Sequence, residues 1–308
     1  MPISNLAQVQ QVIQNLNQLQ TKATALGQQL TTGLKSQSFA GYGTQAAQIV
    51  NLNAAQSQQQ GYIDAINAAD SQLQTMNLVT STITTLVQNF SGALANGAFN
   101  PSGATVQAQA QQLLAEVGNY LNTQDGEGYV FSGSATSTQP FNAAGLPNPG
   151  DLTTPVNGAP PAGYYQGNDT AAQGQFDTNL TISYGVTADN PAFEQVVRVL
   201  NFLANAPPLD QNNPADVASV NQAEQILTSA TTTLQQLTAT IGMRQAQLND
   251  LLQAHQNSLS LAKGSLGDLE NADPTTVITQ LNALQTQLEA SYQSINVLQN
   301  LTLANYLK

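Results

Sequence analysis

"NADPTTVITQLNALQTQLEASYQSINVL", residues 271–298, decides the fold. Val277, Leu281, Leu284, Leu288, Ser291, Ile295 and Leu298 follow one another in alternating steps of four and three. That spacing is the heptad seam of a helix that packs along another helix. Asp273 stands where an N-cap belongs, and Pro274 at the first helical position, where a missing N–H costs nothing. The apolar stripe continues through Leu301, Leu303, Tyr306 and Leu307. Chain ends ordinarily fray and carry few buried contacts, so an apolar end raises the question of what it packs against.

The other end of the chain holds a matching seam: Val9, Val12, Leu16, Leu19, Ala23, Leu26 and Leu30. Val9–Leu30 and Val277–Leu298 each rise about 32 Å as helices, so the two predict an equal-length pair. "TTGLKSQSFAGYG" (31–43) breaks the first helix with three glycines. From about Gln45 a second seam runs through Ile66, Ala69, Leu73, Met76, Thr80, Ile83, Val87, Phe90 and Leu94 until "NGAFNPSG" (96–103) stops it. A shorter helix is expected over 104–121. "GYVFSG" (128–133) and "LTISYGV" (180–186) read as strands amid Pro, Gly, Asn and Thr, which marks about 126–190 as a small β-rich insertion. Helix returns at Pro191 under an Asn190 cap. It returns again near Pro214, carrying Leu227, Leu234, Leu237, Ile241, Leu248, Leu251, Leu252 and Leu259. The expected class is mainly α: a long antiparallel helical bundle or coiled coil formed by the N- and C-terminal segments, with a small β-rich insertion.

Composition removes several classes of function. Charged residues are 8% of the 308, and six Lys plus Arg face eighteen Asp plus Glu, a net charge of -12 with no basic cluster. Such a surface repels phosphate backbones and anionic headgroups, so neither nucleic acid nor membrane is expected as a partner. No stretch approaches the length of a membrane span, and the N-terminus does not read as a signal peptide. Cysteine is absent, which excludes disulfides and thiolate chemistry. One histidine, His255, leaves conventional triads almost without a base; its neighbours Leu252 and Leu259 supply no metal ligand, and it reads as solvated or at a rim. "DGEG" (125–128) lacks EF-hand spacing and reads as a turn. No catalytic, metal or cofactor site is expected. Arg244 either pairs with a carboxylate on a neighbouring helix, Glu116 or Asp250, or is solvated.

The seams themselves have two readings: an intramolecular bundle with a polar exterior, or helices surrounded by other subunits. Isolated helices are marginal in water, so each seam needs burial to persist. Between Val277 and Leu298 the one charge is Glu289, so ion pairs at flanking positions are not expected to choose the partner, as they do in ordinary coiled coils.

"LNTQDGEGYVFSGSATSTQPF", "YYQGND" with "ISYGVTADNPAF", "IGMRQAQL", "LENADPTTVITQLNALQTQLEASYQ" and the closing "LTLANYL" together resemble the flagellin superfamily, and within it the hook–filament junction proteins. The resemblance implies a secreted, non-catalytic structural subunit of the bacterial flagellum, extracellular after passage through the flagellar type III export apparatus with a chaperone's help. It implies partners in copies of itself, a hook-associated junction protein and flagellin. It also implies an inner terminal coiled-coil domain (1–40 and 270–308), a helical-bundle domain (41–135 and 190–269) and an outward-facing insertion (136–189). The assembly interface would then comprise Val9, Leu16, Leu19, Leu26, Leu30, Val277, Leu281, Leu284, Leu288, Ile295, Leu298 and Leu301. Filament flagellin, or a carbohydrate-binding adhesin using Tyr164, Tyr165, Phe176 and Tyr184, are the alternatives. "TSTITTLVQNFSGALANG" (80–97) departs from filament flagellins in having no basic residue.

Overall fold

The computed structural model describes residues 3–95, 103–148, 150–156 and 163–306. Its elements run α1 (Ile3–Thr32), α2 (Ala46–Ala95), α3 (Gly103–Leu121), β1 (Gln124–Asp125), β2 (Gly128–Tyr129), β3 (Gln173–Asp177), β4 (Leu180–Ser183), α4 (Pro191–Asn205), α5 (Pro214–Glu270) and α6 (Pro274–Tyr306). The chain is mainly α, as the seams predict, with two short antiparallel hairpins, β1–β2 and β3–β4. The stop expected at 96–103 lies almost wholly outside the described residues. Two compact units emerge: Met1–Gln58 with Asn257–Lys308 (unit 1), and Gln59–Gln256 (unit 2).

Unit 2 owns the large core. Every residue of the α2 seam from Ile66 to Leu94 is buried, Thr80 included. It meets Val106, Ala110, Leu113 and Val117 of α3, and Leu227, Leu234, Ile241 and Leu248 of α5. α4 is buried nearly all round, since Phe193, Val196, Val197, Val199, Leu200 and Leu203 are each 0% exposed; an apolar circumference of this kind marks a helix inside a bundle. Its ends are satisfied locally. Asn190 Oδ1 accepts from Ala192 N at 3.0 Å, and the Gln107 and Gln111 amides donate to the Ala204 carbonyl at its far end.

The segment between α3 and α4 has less strand than its alternation predicts. β2 stops at Tyr129, because Val130 and Phe131 are both buried and Ser132 Oγ turns back onto the Tyr129 carbonyl. Gly133, at φ 71°, completes that turn in the left-handed region that favours glycine. Phe131, Phe141, Tyr164, Tyr165 and Phe176 all join the core of unit 2. Gly118 of α3 is required there: a Cβ would come within 2.5 Å of the Phe141 ring. The "DGEG" turn is as expected, with Asp125 opposite Gly128 and Asp125 Oδ1 accepting from Glu127 N.

His255 is a correction. It is 5% exposed and sits seven residues beyond Leu248, so it continues the series Leu227, Leu234, Ile241 and Leu248 into the core face. Its Nε2 donates to the Phe176 carbonyl at 2.7 Å, its Nδ1 meets Gln59 Oε1 at 2.6 Å, and Tyr62 lies with its ring centroid 5.1 Å away. The imidazole ties hairpin β3–β4 to both long helices. His255→Ala leaves the Phe176 carbonyl and the Gln59 amide without their partner, at a cost of about 1–3 kcal/mol that chemical denaturation should report.

Candidate assembly surface

Unit 1 consists of α1, the start of α2, the end of α5 and α6. α1 and α6 lie antiparallel, tied by Gln20 Nε2 donating to Tyr292 Oη at 2.9 Å and by the bridge between Leu34 and Asn271. The pairing read from the two seams is present. Along α6, Leu281, Leu284, Leu288, Ser291 and Ile295 are half-buried while the residues between them are exposed; Val277 alone is fully buried. Along α1, Leu16, Leu19 and Leu26 are half-buried and Leu30 is exposed. The side chains of Val9, Leu298 and Leu301 lie outside the described residues.

The turn after α1 and the turn before α6 clamp this pair at one end. Gly33 takes φ 73° and closes α1 with a bond from its N–H to the Gln29 carbonyl, an αL cap. Lys35 N donates to the Glu270 carbonyl and Ala272 N to the Gly33 carbonyl. Lys35 Nζ donates to the carbonyls of Asp268 and Leu269, so one side chain satisfies two orphan acceptors at the end of α5 and places a cation at the negative end of the helix dipole. On the α6 side, Asp273 accepts from Thr275 N, Thr276 N and Thr276 Oγ1, and these bonds hold its carboxyl below the usual carboxylate range.

What sets unit 1 apart is how little apolar surface it hides. Among the described residues its buried hydrophobics are Ile49, Leu259, Ala262 and Val277, whereas Ile13, Leu30, Phe39, Val50, Leu261, Ile278, Tyr292 and Val297 are exposed. Among the described residues unit 2 exposes two large hydrophobics, Leu78 and Met243. Several hydroxyls of α1 and α6 are already satisfied. Thr21, Thr24, Thr31, Thr279, Thr286, Ser291 and Ser294 each donate their hydroxyl to the carbonyl four residues back. Those hydroxyls can be covered by another protein without stranding their donors.

Residues 225–307 match the model of the bacterial flagellin C-terminal helical region. The flagellar hook-associated protein 3 of Salmonella typhimurium is 23% identical, over 98% of this chain and 98% of its own length. The chain thus carries a flagellin C-terminal helical region and is similar over nearly its whole length to that protein. Its Escherichia coli counterpart, also a flagellar hook-associated protein 3, is 24% identical over 98% of both chains. A likeness of fold extends to a solved structure from Vibrio parahaemolyticus, described as a flagellar hook-associated protein, with TM-score 0.59 and 15% identity over 75% of this chain and all of that one.

Other residues singled out in the sequence are placed as follows. Arg244 pairs with neither Glu116 nor Asp250; among the described residues the one ion pair is Arg198–Glu194, and Arg244 Nη1 is buried without a hydrogen-bond partner. Asp250 lies six residues along the same helix, about 240° round it and out of reach. Tyr164, Tyr165 and Phe176 are buried, and Tyr184 is half-buried, so the first three present no ring face to a sugar. Tyr164 Oη donates to the Ala188 carbonyl at 2.7 Å, and burial, with the Glu194 charge, pushes its pKa up and keeps the proton in place. Among the described residues no acidic, His or Cys cluster suited to a metal is present, and no helix is long and apolar enough to cross a membrane.

Asp273 gives a pH test. Its pKa is depressed in the folded chain, so its contribution is fully present above the unfolded carboxylate value and is lost as pH falls through the folded value. Asp273→Ala should weaken amide-exchange protection in the first turn of α6 at neutral pH. It should also erase the acid-induced loss of protection there that the natural chain shows.

Proposed function

We propose that this chain is a structural subunit of the bacterial flagellum, an adapter that joins a hook-side junction protein to the flagellin filament and works by packing, without catalysis. The observation that carries the reading is the contrast between the two units: unit 2 shelters its own core, while unit 1 buries four hydrophobics and leaves eight large ones exposed among the described residues. A helix pair with half-covered seams and self-satisfied hydroxyls is built to be completed by neighbours. The names of the full-length relatives point to the flagellum as well.

In this reading residues 1–40 with 270–308 form the inner layer of the assembly, 41–135 with 190–269 the middle, and 136–189 face outward. The partners are copies of the chain, a hook-associated junction protein and flagellin. Export proceeds as an unfolded chain through the flagellar type III apparatus with a chaperone, and the chain works outside the cell. The absence of cysteine supports this, because no cross-link can obstruct threading. The match of residues 225–307 to the flagellin C-terminal model supports a second reading, in which the chain itself forms filament. The adhesin reading loses its support with the burial of Tyr164, Tyr165 and Phe176.

Two variants separate packing within the chain from packing between chains. Leu234→Ala, in the core of unit 2, should cost about 2–5 kcal/mol in denaturation. Leu284→Asn combined with Leu288→Asn should leave the unfolding transition of unit 2 in place and remove the chain from flagella, counted by immuno-electron microscopy. Wild-type incorporation of that double variant would contradict the proposal. The same micrographs discriminate the readings: label confined to the hook–filament boundary marks an adapter, and label along the filament marks a flagellin.

A further inference from the structure

Asn–x–Ser/Thr triplets without a central proline begin at Asn89, Asn168, Asn179 and Asn300. Such a triplet is the acceptor pattern for attaching a sugar to the asparagine amide. A transferase must reach the amide nitrogen and the hydroxyl two residues on from one side, so the local backbone decides which triplet can serve. In a helix residues i and i+2 stand about 200° apart, whereas in extended chain they share a face. Asn89 lies within α2 and Asn300 within α6. Asn89 is exposed while Ser91 is buried, as helical geometry requires of that pair. Asn168 is half-buried and its amide is spent: Nδ2 donates to Ser134 Oγ at 2.8 Å, and Oδ1 accepts from Ser134 N and Thr170 N.

Asn179 differs on each of these counts. It lies at the tip of hairpin β3–β4, where Asp177 pairs with Leu180 and Thr178 and Asn179 make the turn. Along β4, Leu180 and Ile182 are half-buried while Thr181 and Ser183 are exposed, the period-two alternation of a strand with one face on the core. Asn179 is exposed as well, and its amide makes no hydrogen bond among the described residues. The tip is fastened from beneath. Phe176 is 1% exposed and its carbonyl accepts from His255 Nε2, Tyr62 Oη donates to Thr178 Oγ1 at 3.4 Å, and Gln175 Nε2 donates to the Thr178 carbonyl at 3.0 Å. The fold therefore presents one free amide and one hydroxyl, two residues apart, on a fixed turn that faces water.

We propose that Asn179 is a glycosylation site, its amide accepting a sugar that is activated at the anomeric carbon as a pyrophosphate ester, with Thr181 as the hydroxyl a transferase reads. In the transfer Asn179 Nδ2 forms a bond to the anomeric carbon. The bond from that carbon to the pyrophosphate oxygen breaks and its electron pair leaves on the pyrophosphate. One amide proton passes to a base of the transferase, and nothing is oxidised or reduced. A nucleoside diphosphate sugar and a lipid-linked sugar share this chemistry. The site belongs to unit 2 and does not rest on the reading of unit 1 as an assembly surface.

The test starts from the full-length chain isolated from the bacterium that makes it, digested and fragmented in a mass spectrometer. The expected result is a sugar mass on Asn179 and none on Asn168. An Asn179 peptide that is unmodified throughout overturns the proposal, and so does a sugar carried on the hydroxyl of Thr181 or Ser183 instead. Asn179→Gln and Thr181→Ala should each remove the sugar while the denaturation midpoint stays nearly unchanged, and Thr181→Ser should keep it. Retention of the sugar in Thr181→Ala contradicts the role given to that hydroxyl. Folded, unmodified recombinant chain is then offered to a soluble extract of the same bacterium with UDP-glucose, and separately to its membranes. Labelling in the first assigns a nucleotide-activated donor and labelling in the second a lipid-linked one. In either, Asn179 should be labelled on the folded chain and Asn168 only after the chain is unfolded; equal labelling of both on the folded chain overturns selection by the fold.

Discussion

A pair of helices can cover only one stripe of each member, and the rest of the molecule follows from that limit. α1 and α6 meet along their seams, yet from Leu281 to Ile295 every described seam residue of α6 stays half in water. In unit 2 the same kinds of side chain on α2, α4 and α5 are surrounded on several sides and disappear from solvent. The chain thus combines a self-sufficient fold with a segment whose hydrophobic effect is left partly unspent. In the proposed reading that remainder is the assembly surface.

Scarcity of charge serves the same end. Burying an ion without its partner is expensive, whereas a Thr or Ser hydroxyl that already has an acceptor can be enclosed at little cost. Threonine and serine on α1 and α6 find those targets one turn back on their own helix. Against so neutral a background, α1 carries a single charge, Lys22, and α6 a single charge, Glu289.

Much of the fold was legible because it is written in period. The three-four steps of α2 and α6 specify helices, and Asn190–Pro191 and Asp273–Pro274 specify where α4 and α6 begin. The insertion was less legible: "GYVFSG" alternates like a strand, but the tertiary core claims both Val130 and Phe131 and the ladder ends. His255 was misplaced because its two leucine neighbours were weighed as failed metal ligands, when the seven-residue series Leu227, Leu234, Ile241, Leu248 already put position 255 indoors. Which faces of α1 and α6 share a side was not legible at all, since sequence spacing gives the faces of one helix only. That needed the Gln20–Tyr292 bond.

The clamp formed by Gly33, Lys35, Glu270 and Ala272 has a consequence for alignment. A heptad seam without charged or polar selectors is degenerate: sliding one helix past the other by seven residues brings leucines against leucines again at little cost. Main-chain bonds at a turn have no such periodicity, because a slipped pair finds no second set of carbonyls at that spot. The clamp therefore supplies the choice that the side chains omit, and of the several equivalent slides open to α1 and α6 it permits one.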